Sequence, residues 1–134
     1  KVNSIQTHYC SLEEANAGLI VGIALKGIKH EEVRRGMVLC SKKLKPKASK
    51  KFEAEVIVLH HPTKITKGYE PVVHIHTIAQ SAKITRMDKP FLKTGDSGKV
   101  EFEFKYRPEF IRIGDRLVFR EGKTKGIGTV IRLG

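Results

Sequence analysis

Val100-Glu101-Phe102-Glu103-Phe104-Lys105-Tyr106 sets four apolar side chains and three charges in strict alternation. Successive side chains leave an extended chain on opposite sides, so a period of two marks a strand with one buried and one solvated face. Nothing in the chain repeats convincingly at 3.6 residues. Phe52–His60 is richer in apolar residues and is expected to be more buried, while Pro71–Ile78, Gln80–Arg86, Asp115–Arg120 and Gly126–Leu133 complete a set of six strands. Turn chemistry separates them at Thr66-Lys67-Gly68, Asp88-Lys89-Pro90, Lys93-Thr94-Gly95-Asp96, Ile113-Gly114-Asp115 and Glu121-Gly122. Six strands in residues 51–134 with no helical intermission predict a closed or nearly closed antiparallel barrel.

Residues 1–40 also read as strands, at Val2–Tyr9, Leu19–Leu25 and Met37–Cys40, with Arg34-Arg35-Gly36 turning into the last. Three strands without a covering layer cannot bury their apolar face. The expected organisation is therefore a partial second β-barrel over residues 1–41, a basic linker over 42–50 and a complete barrel over 51–134. The unpaired edges of the partial barrel are expected to be disordered, or to pair with a second copy as a homodimer or by strand exchange.

Charge narrows the function classes. Lys and Arg number 26 against 14 acids, and the surplus is segregated: residues 1–40 carry five basic and four acidic side chains, the remainder 21 and 10. Six lysines crowd into Ser41–Lys51. Such a surplus favours polyanionic partners and salt-dependent binding. No apolar run approaches the ~20 residues of a membrane span, and Lys1 does not open a secretion signal. The chain lacks an initiator Met and is expected to be a piece of a longer protein. Cys10 and Cys40 stand without Cys-x-x-Cys spacing, which suits reduced thiols in the cytoplasm.

Catalytic motifs are missing. There is no Gly-x-x-x-x-Gly-Lys-[Ser/Thr], no Gly-x-Ser-x-Gly and no His-Glu-x-x-His, and Lys125-Gly126-Ile127-Gly128 precedes a strand instead of opening a helix. No catalytic residue is assigned. His74-x-His76 is the one metal-like spacing, with His60 or His61 as further candidates, but a full ligand set is not identifiable and no metal site is assigned. Glu53/Glu55 and Glu101/Glu103 read as solvent faces of strands. Phe52, Phe102, Phe104 and Phe119 fall on the apolar phase and are expected in the core, whereas Tyr69, just after Gly68, is expected to turn its phenol outward as an RNA-contacting candidate.

The ordered motifs carry a family resemblance. Lys51-Phe52-Glu53-Ala54-Glu55-Val56, Gly68-Tyr69-Glu70-Pro71, Lys93-Thr94-Gly95-Asp96, Tyr106-Arg107-Pro108 and above all Phe119-Arg120-Glu121-Gly122-Lys123-Thr124-Lys125-Gly126-Ile127-Gly128 resemble the third domain of elongation factor Tu and its relatives. Arg35-Gly36-Met37-Val38-Leu39 resembles a strand of the second domain, and Val58-Leu59-His60-His61-Pro62-Thr63 looks closest to the GTP-binding-protein-1 group. The resemblance implies an all-β fold, a six-stranded Greek-key barrel preceded by part of a second. It implies a non-catalytic module of a translational GTPase that contacts tRNA or other structured RNA, works with the ribosome and packs against its own GTPase domain. GTP and Mg²⁺ would belong to that absent domain, with no cofactor and no membrane partner for this chain. The RNA-facing positions carried over are Gln80, Arg107 and Gly122, with Lys123 and Lys125 added on charge. Glu70, Val72 and the pair Gln80-Ser81 depart from the family pattern and point to a specialised partner. The alternative expectation is a protein-interaction module in mRNA surveillance, decay or ribosome quality control.

Overall fold

A computed structural model describes residues 1–134, which divide into two compact units, Lys1–Arg34 and Arg35–Gly134. In the first, β1 (Val2–Thr7) pairs antiparallel with β2 (Cys10–Leu12) on one side and β3 (Gly22–Leu25) on the other. A single 3₁₀ turn follows at His30–Glu32. No side chain of this unit is fully buried; Leu19, Ile20, Ile23, Ile28 and Val33 are all exposed. The strand expected over Val2–Tyr9 stops at Thr7 because His8 and Tyr9 both adopt positive φ, 47° and 65°, and turn the chain into β2. That pair of left-handed residues is the signature of a type I′ hairpin.

The second unit contains the barrel. Its strands are β4 (Lys51–His60), β5 (Val72–Ile75), β6 (Ile78–Met87), β7 (Ser97–Phe104), β8 (Arg116–Glu121) and β9 (Thr124–Leu133). They close in the order β4-β7-β6-β5-β8-β9, every neighbour antiparallel. Three consecutive strands, β5 to β7, lie side by side, and β4 lies beside β7, which is a Greek key. The expected six-stranded barrel is thus the observed one.

Alternation dictates the core. Phe52, Ala54, Val56 and Val58 of β4 point inward, as do Val100, Phe102 and Phe104 of β7 and Leu117 and Phe119 of β8. The Phe52 ring stacks on Phe102 at 5.3 Å between centroids and touches Phe104 at 5.2 Å, and Phe102 meets Phe119 at 6.1 Å. Burying each such ring stabilises the fold by up to about 3 kcal/mol. On the outer face the acids find cations: Arg86 lies between Glu53 and Glu101, at 3.5 and 3.4 Å, and Lys51 meets Glu103 at 3.8 Å.

Three expectations are corrected. Tyr106 does not continue the inward series, because β7 ends at Phe104 and the Tyr106 side chain is exposed. The strand expected over Pro71–Ile78 breaks at His76–Thr77, where His76 takes a φ of 52°, so Ile78 opens β6. Met37–Cys40 forms no strand; it follows the Arg35-Gly36 turn as exposed irregular chain without a pairing partner.

Candidate nucleic-acid interface

Ile78, Gln80, Ala82 and Ile84 occupy the inward phase of β6, so Gln80 is buried among apolar neighbours. A buried amide must find hydrogen-bond partners, and Gln80 finds four. Its Oε1 accepts the backbone N–H groups of Tyr106 at 2.8 Å and Arg107 at 3.0 Å, while its Nε2 donates to the Arg107 carbonyl at 3.2 Å and to Glu109 Oε1 at 3.0 Å. Glu109, itself 3% exposed, also receives Arg107 Nε at 2.9 Å. Gln80 therefore shapes the Tyr106–Glu109 segment from beneath. The Arg107 guanidinium, tied by Nε and partly exposed, keeps its terminal amines free of any protein partner.

The second cluster is the β8–β9 hairpin. Glu121 pairs with Thr124 across the two-residue turn Gly122-Lys123, and Gly122 has a φ of 56° while Lys123 does not share the positive sign. This is the type II′ pattern, which calls for glycine at its first central position. Lys123 and Lys125 are exposed, and Lys125 stands opposite Arg120 on the outer face. Thr124 points inward and its hydroxyl shares a 2.6 Å hydrogen bond with His61 Nδ1. His61 is held further by reciprocal bonds with Thr94, its N–H donating at 3.0 Å and its carbonyl accepting at 3.1 Å.

Tyr69 corrects the reading of its phenol as outward-facing. The ring packs partly buried against the core, edge-on to His61 at 5.3 Å, and its hydroxyl is enclosed with no hydrogen-bond partner. Burial pushes its pKa up to about 12, the nearby Thr124 hydroxyl opposing the shift and the Glu121 carboxylate adding to it. The sequence offered no warning, because the enclosure depends on Thr124, which is distant along the chain.

Tyr69 and its neighbour Glu70 join the two clusters. Tyr69 faces the hairpin; Glu70 accepts from Lys105 Nζ at 3.3 Å, two positions before Arg107. That contact holds the Lys105 ammonium above its ordinary pKa. Tyr69 and Glu70 thus link the surface carrying Lys123 and Lys125 to the segment carrying Lys105 and Arg107.

The histidines weighed as ligands are scattered to other tasks. His74 lies mid-strand, His76 sits in the turn with Nε2 3.1 Å from Asp115 Oδ1, and His61 serves Thr124. No group of three or more His, Cys, Asp or Glu is placed to hold a metal ion. Sequence reasoning missed Thr124 and the burial of Glu109, and weighed His61 only as a metal candidate.

The family model of the elongation factor Tu C-terminal domain matches residues 45–133. The chain belongs to that family. Among its relatives, GTP-binding protein 1 of Xenopus laevis is 46% identical over 132 residues, covering 98% of this chain and 20% of that protein. GTP-binding protein 2 of Mus musculus is 36% identical over 131 residues, covering 97% of the chain and 22% of the relative. Elongation factor 1-alpha of Sulfurisphaera tokodaii is 35% identical over 153 positions, covering 98% and 35%. The chain thus spans between a fifth and about a third of the length of these relatives. No helix of the chain is long and apolar enough to cross a membrane.

Proposed function

We propose that this chain is a non-catalytic RNA-contacting module of a translational GTPase, reading the shape and phosphate backbone of tRNA or another structured RNA in the cytoplasm. The observation that carries it is the surface just described, in which Arg107 is oriented by buried Glu109 and Gln80 while Lys123 and Lys125 are presented on a tight turn. Oriented cations and a close-approaching backbone suit phosphate and ribose contacts, which is how A-form RNA is recognised when its deep groove hides base edges. GTP and Mg²⁺ would be handled elsewhere in the whole protein, since no phosphate-cradling loop exists in this sequence. The same reading has the whole protein working on the ribosome.

The test is binding of the chain to folded tRNA and to single-stranded RNA of equal length, at roughly 50 and 200 mM salt. Salt-steep binding that favours tRNA and weakens in Arg107→Ala and Lys123→Ala supports the proposal. Equal binding to both RNAs reduces it to general charge attraction.

One observation favours a second reading, a protein-interaction module packing on its own GTPase domain or on translation or decay factors. Ile57, Ile127 and Val118 are cross-strand partners on the outer face of β4, β9 and β8, and Ile57, Leu59 and Ile127 are exposed. An apolar strip of this kind suits a protein contact. Salt-tolerant binding to a protein partner, lost in Ile57→Asp, would select it.

A further inference from the structure

The lysine-rich segment is anchored to the barrel at both ends, and both anchors converge on one residue. At its start, Gly36 is buried with a φ of 97°, and a Cβ there would lie 2.7 Å from Glu109 Oε2 and 3.1 Å from Ile78 Cγ1. At its end, buried Ser49 exchanges both backbone hydrogen bonds with Glu109, its N–H donating at 2.9 Å and its carbonyl accepting at 3.1 Å. Between these clamps residues 37–48 are all exposed. The loop is thus tied to the barrel at both ends while its own side chains stay in solvent.

The loop carries Lys42, Lys43, Lys45 and Lys47 and no acid. None of the four lies within ion-pair distance of a carboxylate. Lys42 and Lys43 occupy the corner of a turn closed by Leu44 N–H to the Ser41 carbonyl at 3.0 Å, with Lys43 N–H also reaching Ser41 Oγ at 3.3 Å. Lys45 and Lys47 then alternate around Pro46. The residue that clamps the loop, Glu109, is the same one that orients Arg107.

We infer that the Met37–Ala48 loop is a second phosphate-contacting element, fixed beside Arg107 so that both engage the backbone of the same structured RNA. The inference rests on the RNA reading above and adds to it a site outside the hairpin. Four unpaired cations close together in sequence, with no acid among them, offer a polyanionic backbone several phosphate contacts at once.

The experiment compares the whole chain with a loop variant (Lys42, Lys43, Lys45 and Lys47 all to Gln) and a hairpin variant (Lys123→Gln with Lys125→Gln). Each is titrated with folded tRNA between roughly 50 and 200 mM salt, and in parallel with phosphatidylserine-containing vesicles. All substituted lysines are exposed, and circular dichroism checks that the barrel is intact. The expected result is that the loop variant lowers the salt slope by about two to three, with at least a tenfold loss of affinity at the lower salt, and that the hairpin variant lowers the slope separately by about one to two. An unchanged slope in the loop variant, with a loss in the hairpin variant, overturns this inference and leaves the RNA reading standing. Loss in the loop variant alone supports the loop and removes the hairpin from the interface. Vesicle binding without RNA binding, lost in the loop variant, overturns it in favour of a lipid surface. No binding of tRNA at either salt overturns both.

Discussion

Arg107 donates its Nε–H to Glu109 Oε1 at 2.9 Å, across a single proline, with the carboxylate buried and the guanidinium partly in solvent. The pair is asymmetric: Glu109 is committed to the protein, and Arg107 is held by it while facing outward. Glu109→Ala removes the acceptor for Arg107 and Gln80 together and leaves the amide of Gln80 underbonded. The expected cost is about 2–3 kcal/mol, below the range for a fully buried pair because Arg107 is partly exposed. Thermal melting should show a fall of roughly 10 °C or more.

Gln80→Leu fits the apolar neighbours but strands the backbone N–H groups of Tyr106 and Arg107, which now share one amide oxygen. We expect a loss of about 2 kcal/mol. Hydrogen exchange at these two amides, protected in the parent chain, should speed up while that of β4 and β9 stays slow.

Tyr69→Phe deletes a hydroxyl that is enclosed and unpartnered. The expected change in stability is from zero to about 1 kcal/mol in favour of the variant, since an unsatisfied buried group is a cost. The same burial gives a pH signature. The phenol's folded pKa of about 12 exceeds its ordinary value of 10.0. Above pH 10 the unfolded chain therefore gives up this proton more readily, and the associated stability is lost as pH rises through about 12. Denaturant titrations at alkaline pH should show the parent losing more stability than Tyr69→Phe over that window.

Lys123→Ala and Lys125→Ala touch no buried group, so their melting temperatures should match the parent within the range of about 0.5 kcal/mol usual for surface changes. On the RNA reading, each lowers the salt slope of tRNA binding by about 0.9. A change in stability with no change in slope would count against the hairpin as a contact.

The strand phases and the phenylalanine core were legible because period-two alternation is a local property: Val100, Phe102 and Phe104 announce their face without reference to any other strand. The turns at His8-Tyr9 and His76-Thr77 were not legible, since both use side-chain-bearing residues at positive φ where Gly or Asn would have signalled a break. Gln80 carried a readable sign, its place on the inward phase with Ile78 and Ala82, against the RNA-facing role that the family resemblance implied for it. Glu109 carried none. Its burial depends on Gly36 and Ser49, far earlier in the chain, and no pattern around Pro108 foretells them. Met37–Cys40 has strand-like composition but nothing to pair with, a fact that only the tertiary structure supplies.

The barrel is sealed by its first and last strands, with Phe52 opposite Leu133 and Val58 opposite Gly126. While the chain emerges from a ribosome, β4 is therefore made early and must wait for β9 before its second edge is satisfied. Until then the nascent chain carries an open sheet with Phe52, Phe102 and Phe104 incompletely covered, and the ring can shut only after Thr124–Leu133 has cleared the exit tunnel. Closure of this domain therefore rests on its most distant contact, the one whose loop-closure cost is greatest. Any cut before Thr124 leaves a sheet with two open edges in place of a barrel.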